Sequence, residues 1–170
     1  MSAPATIRRL QSHAKLFKER VLDASKPSAD PTQLAFFDTL ALAASQAADS
    51  LLCSSILAGH GSESDEFADA GVYLGQGDFA KGNEKLVLSS LGLEAGKITP
   101  VPLNNHIPST VRGEDTAQLS EFRSQVSQLE HLYCFSNQTG SNSDIIFALI
   151  GSRAGAGWGG LLGIGTWSDD

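Results

Sequence analysis

The run Ile145-Ile146-Phe147-Ala148-Leu149-Ile150 is apolar at every position. A strand with one wet face alternates apolar and polar residues, whereas one that is apolar throughout needs cover on both faces. This segment therefore predicts a central strand and a chain that covers both sides of a sheet. Leu132-Tyr133-Cys134-Phe135 reads as a strand before it and Gly159 to Trp167 as a third after it, and the short connections imply antiparallel pairing. Gly71-Val72-Tyr73-Leu74-Gly75 is a further short strand. Ile98 to Leu103 contains Pro100 and Pro102, which restricts it to a sheet edge or a loop.

The cover comes from helical stripes. Leu34, Phe37, Ala41, Ala44, Ala48 and Leu51 share one face of a helix that Asp30 caps, Pro31 starts and Gln33 completes as a capping box. Leu119, Phe122, Val126, Leu129 and Leu132 define another, capped by Asp115 with Gln118, and Lys81 to Leu91 reads as a short helix stopped at Gly92, with an extended Leu86-Val87-Leu88 as the alternative. Ahead of these, Ile7, Leu10, Ala14, Phe17 and Val21 recur at steps of three and four, with Arg8, Arg9, Lys15, Lys18 and Arg20 off the stripe. The pattern divides the chain into an N-terminal amphipathic helical extension over 1–29 and an α/β domain over 30–170, with helices on both sides of the sheet.

Charge narrows the partners. Twelve basic residues stand against 19 acidic ones, a net charge of -7. From Pro27 onward six basic residues face seventeen acidic ones, a net of -11, because half of the basic residues precede it. Phosphate backbones repel such a surface, so direct nucleic-acid binding is not expected, while a basic protein partner is favoured. Cys53 and Cys134 each sit in an apolar run and read as buried free thiols, which fits a reducing compartment. Met1 to Arg9 lacks the order of a signal peptide, and no apolar run reaches the roughly 18 residues of a membrane span. A cytoplasmic protein without a membrane segment is expected.

The Gly-rich stretch Gly151 to Gly160 follows an apolar strand, as phosphate loops do, but lacks Gly-Lys-Ser/Thr and a following helix. A mobile hairpin tip with Trp158 exposed or half exposed is the better reading, where Trp158 is either a binding hot spot or folded back on the sheet. His13, His60, His106 and His131 show no metal-ligand spacing, and no nucleophile elbow is present, so neither metal nor cofactor is expected. His60 beside Ser62, Glu63 and Asp65 holds the ingredients of a hydrolase without the pattern of one. Two acidic clusters remain. Glu63-Ser64-Asp65-Glu66, with Asp69 near it, suits pairing with Arg or Lys of a cationic cleft. Thr166-Trp167-Ser168-Asp169-Asp170 is an oxygen-rich tail suited to a divalent-metal site on another protein.

Several segments, in order, resemble the nuclease A inhibitor family over residues 40–170: Ala47-Ala48-Asp49-Ser50-Leu51-Leu52, Ser62-Glu63-Ser64-Asp65-Glu66-Phe67, Val72-Tyr73-Leu74-Gly75, Leu86-Val87-Leu88-Ser89-Ser90-Leu91-Gly92, Phe147 to Gly155, and Leu162-Gly163-Ile164-Gly165-Thr166. The resemblance implies a three-layer α/β/α sandwich with a mixed, largely antiparallel sheet. It also implies a non-enzymatic inhibitor of a sugar-nonspecific, metal-dependent nuclease. In that family an acidic residue near the first strand and the last residues of the chain enter the nuclease active site. The matching positions are Glu63 or Asp65 and the segment Thr166 to Asp170. The chain departs from the family by an insertion before Ser62 and by Asp170 where a hydroxyl residue is expected. The expected partner-binding set is therefore Glu63, Asp65, Glu66, Trp158, Thr166, Trp167, Asp169 and Asp170. The alternative is a small enzyme or ligand-binding domain using His60 or His106 in a pocket.

Overall fold

The computed structural model of the chain describes residues 3–10, 14–25, 31–62, 67–111, 115–139 and 144–166. Along the chain run α1 (Ala3–Leu10), β1 (Lys15–Phe17), β2 (Val21–Asp23), α2 (Pro31–Ser50), β3 (Ala70–Gly75) and α3 (Glu84–Ser90). There follow β4 (Lys97–Val101), β5 (Leu103–Asn104), β6 (Ile107–Pro108), α4 (Ala117–Val126), β7 (Glu130–Gln138), β8 (Asp144–Arg153) and β9 (Gly157–Thr166). Seven strands form one sheet in the order β1-β2-β3-β9-β8-β7-β4, and β5 pairs with β6 alone. Within the large sheet β2 and β3 are parallel and the other pairings are antiparallel. The chain is thus an α/β protein with a mixed, largely antiparallel sheet.

The apolar run lies in β8, between β7 and β9, and its side chains divide by parity. Phe147 and Leu149 enter one core with Phe37, Leu40 and Ala44 of α2 and Leu119, Phe122 and Val126 of α4. Ala148 and Ile150 enter a second core with Ala5 and Leu10 of α1 and Val87 and Leu88 of α3. Each fully buried Leu, Ile or Phe stabilises the fold by about 1.5–3 kcal/mol relative to exposure. Truncating a wholly buried ring such as Phe122 costs about 3–5 kcal/mol, because the cavity adds to the lost burial.

Four expectations are corrected. The N-terminal helix ends at Leu10, and Lys15–Phe17 and Val21–Asp23 form an antiparallel hairpin whose second strand pairs with β3. Sheet pairing buries Val21, Leu22 and Asp23 in succession, and this outweighs the helical spacing of the segment's apolar residues. Within the expected helical extension over 1–29, β2 therefore lies inside the sheet. The Gly-rich stretch is not a long tip: Ala154 to Ala156 make the turn, and the flanking residues belong to β8 and β9. Glycine is used there for close approach, since a Cβ on Gly159 would stand 2.5 Å from the Phe37 ring and 2.6 Å from the Val72 carbonyl oxygen. Trp158 accordingly lies in a strand, half-buried against the second core, with its ring 6.4 Å from that of His131. The cap of α4 is Thr116, whose hydroxyl accepts from the Leu119 N–H at 3.0 Å, while Asp115 instead pairs with Arg123 at 3.2 Å. The expected cap of α2, Asp30, lies outside the described residues.

Candidate functional site

Strand β9 finishes, β8 begins and β3 begins at one end of the sheet. There the Thr166 N–H donates to the Ser62 hydroxyl at 3.0 Å. The Thr166 hydroxyl donates to Asp144 Oδ1 at 3.0 Å, and Arg9 Nε of α1 donates to Asp144 Oδ2 at 2.5 Å. Asp144 is buried at 8% exposure, so its charge is compensated by the guanidinium and the hydroxyl rather than by water. The Arg9 guanidinium lies 6.0 Å from the centre of the Phe67 ring, and the Thr6 hydroxyl donates to the Ala68 carbonyl. Ser62 and Phe67 bracket the acidic segment Glu63 to Glu66, and Thr166 directly precedes Trp167 to Asp170. The roots of both acidic clusters are thus fixed to each other and to the sheet.

Of the expected partner-binding residues, Glu63, Asp65, Glu66, Trp167, Asp169 and Asp170 lie outside the described residues. Thr166 sits at the site just described. Trp158 does not join it: at about 3.3 Å per residue, the β9 positions 158 and 166 are roughly 26 Å apart. The two tryptophan positions therefore do not root in one place.

Asp69 takes a different role from the one its neighbours suggest. Its carboxylate is 1% exposed and cannot meet a partner. It accepts from Ser55 Oγ at 2.6 Å, from the Ile56 N–H at 2.7 Å and from the Leu57 N–H at 3.5 Å, and so pins the turn after α2 to the start of β3. Burial pushes its pKa up to about 6, against the lowering effect of these three donors. Burial, together with the Asp69 charge, raises the Cys53 thiol to about 11 and the Cys134 thiol to about 12, so neither is a thiolate nucleophile at neutral pH.

His60 is exposed and its Nε2 meets the Leu51 carbonyl at 2.8 Å. His106 occupies the β5–β6 turn with φ 70°, and its buried Nδ1 has no hydrogen-bond partner among the described residues. One cleft lies beside β4 and β7, lined by Lys81, Pro100, Val101, Tyr133 and Cys134, and another beside α3 is lined by Asn83, Glu84, Lys85 and Ile98. Neither histidine lines either cleft. Among the described residues no group of three or more His, Cys, Asp or Glu side chains is placed to hold a metal. No helix among them is long and apolar enough to cross a membrane.

Sequence reasoning missed Ser62, Asp144 and Arg9 as the anchors of the site. Asp69 did carry a signal: one acid within Phe67-Ala68-Asp69-Ala70-Gly71-Val72 is the pattern of a buried, hydrogen-bonded carboxylate. Compared with protein-family models, curated proteins and solved structures, the chain matches none.

Proposed function

We propose that this chain is a protein-binding inhibitor of a sugar-nonspecific, metal-dependent nuclease. The single observation that supports this most is the hydrogen bond from Thr166 to Ser62, which roots two acidic segments at one point of the surface. Glu63, Asp65 and Glu66 would pair with basic side chains around the nuclease cleft, and Asp169 and Asp170 would approach its divalent ion, which prefers oxygen ligands. Occupation of the cleft by carboxylates excludes the phosphates that the same cationic groups bind. The net charge of -7 argues for a basic protein rather than nucleic acid as the direct partner. Two free cysteines suit action in the reducing cytoplasm. Helices meeting both sheet faces support the sandwich that the family resemblance implies.

The test is plasmid degradation by a magnesium-dependent, sugar-nonspecific nuclease, titrated with the protein. Inhibition that saturates at one protein per enzyme, and weakens when residues 167–170 are removed, is the expected result. Full nuclease activity at a large excess of protein overturns the reading.

A further inference from the structure

Strand β4 runs along β7 from Lys97 opposite Gln138 to Val101 opposite Cys134, and then leaves it. At Pro102 the chain turns away, and Leu103 opens β5, which pairs with β6 alone. Strand β7 extends to Glu130, so Leu132 and Tyr133 lie beyond the last β4 pairing. The space left there is a cleft of about 350 Å³, walled on its apolar side by Pro100, Val101, Pro102, Leu103 and Leu132. Small-molecule sites occupy roughly 300–1,000 Å³ and have mostly apolar walls with few polar groups.

A further strand is not what this cleft takes. Pro100 and Pro102 carry no N–H, so this stretch of the edge lacks donors that an added strand would pair with. The Tyr133 hydroxyl borders the cleft but is already spent on the Phe79 carbonyl. That leaves Lys81, the one charged residue of the lining. Its segment is held in place. The Tyr133 bond fixes Phe79, the Asn83 N–H donates to the Ala80 carbonyl at 3.0 Å, and Asn83 Nδ2 donates to the Asp78 carbonyl at 3.0 Å. The neighbouring Glu84 carboxylate accepts from the Gly82 N–H at 3.0 Å. Among the described residues Lys81 itself makes no hydrogen bond and no ion pair.

An ammonium without a carboxylate, beside apolar walls, selects an anion with an apolar body. One monovalent cation in a chain of net charge -7 favours a single negative charge over a phosphate, whose second charge the rest of the protein repels. Two proline rings, two residues apart, offer flat apolar faces to a ring. We propose that this cleft binds a small aromatic monocarboxylate, with its ring against Pro100, Pro102 and Leu132 and its carboxylate on Lys81. The site uses none of the residues at the Ser62–Thr166 root and does not depend on the inhibitor reading.

The experiment titrates benzoate into the full, nitrogen-15-labelled chain and follows the backbone amide shifts. The expected result is saturable shifts confined to the surroundings of Lys81, Val101, Leu103 and Leu132, with a dissociation constant of about 1 mM, as suits so small a ligand. Lys81→Gln should weaken binding about fivefold with an unchanged melting temperature, since the Lys81 side chain is exposed. Benzyl alcohol, which keeps the ring without the charge, should bind the parent as weakly as benzoate binds the variant. Inorganic phosphate, which has charge without an apolar body, should leave these amides unmoved. Absence of saturable shifts at about 20 mM benzoate overturns the proposal. Shifts spread over the exposed lysines and arginines, the mark of an adventitious ion only, also overturn it. Equal binding of benzoate and benzyl alcohol, or of benzoate by parent and variant, removes the carboxylate from the site and overturns it as well.

Discussion

Asp69 and Gly163 face each other so closely that a Cβ on Gly163 would stand 2.6 Å from Asp69 Oδ1 and 2.8 Å from Ser55 Oγ. The buried carboxylate and the absent side chain on β9 are one packing solution. Gly163→Ala is therefore expected to displace the Ser55–Asp69 pair and to destabilise the protein by about 1–3 kcal/mol, as overpacking of a filled site does. Chemical denaturation of the variant measures it, and a loss below about 0.5 kcal/mol would show that the turn 55–58 yields freely.

The same carboxylate sets a pH dependence. Its folded pKa of about 6 lies above the ordinary 3.8, so between those values the folded chain holds a proton that the unfolded chain has lost. Stability contributed by this group is thus full below about pH 4 and is lost as pH rises through 6. At neutral pH the loss amounts to up to about 3 kcal/mol, at 1.36 kcal/mol per pK unit. Other carboxylates titrate in the same range, so the informative quantity is the difference between the parent and Asp69→Asn. Unfolding free energies at pH 4, 5, 6 and 7 should show that difference changing steadily in favour of Asn as pH rises; a constant offset would remove Asp69 as the source.

Ser62→Ala deletes the acceptor of the Thr166 N–H at a half-buried place. A loss of about 1 kcal/mol in stability is expected. If the two acidic segments act together, nuclease inhibition should weaken beyond what that small loss explains, because their relative placement is loosened. Inhibition constants equal to the parent's would separate the bond from function.

Charge reversal of Glu63, Asp65 and Glu66 to Lys should abolish inhibition while leaving the far-ultraviolet circular dichroism and the melting curve close to the parent's. Residual inhibition that falls with added salt would assign the attraction to the remaining carboxylates, since exposed charge pairs are screened within about 10 Å at 0.1 M salt.

Elements whose signals are local were legible in the sequence. The apolar stripe of α2, the Gly92 stop after α3, the proline of β4 and the unbroken apolar run of β8 each state their own conformation. The β1–β2 hairpin was not legible. Its turn places Lys18 and Glu19 at φ 50° and 62°, a geometry usually signalled by Asn-Gly, and the flanking apolar residues fall by chance on a helical stripe. Pairing of Val21, Leu22 and Asp23 with Gly71, Val72 and Tyr73 decides the matter, and no local pattern contains that partner. Gly159 to Trp167 was legible as a strand, but the tip assigned to Gly151–Gly160 ran into it at Gly159, because sequence shows the missing side chain but not the Phe37 ring that fills its place. The acidic clusters were visible as composition. Their common root was not, because Ser62 and Thr166 lie 104 residues apart and neither is distinctive alone.

The position of β9 has a consequence for how the protein comes into being. It is the last strand of the described chain, yet it lies inside the sheet, between β3 and β8. Until it is synthesised, β1-β2-β3 and β8-β7-β4 share no strand, and the inner edges of both half-sheets are open. Closure must await residue 166, long after the first helix has left the ribosome, and pairings so distant in sequence form slowly. Early termination within 157–166 should yield two sticky half-sheets prone to aggregation rather than a weakened inhibitor.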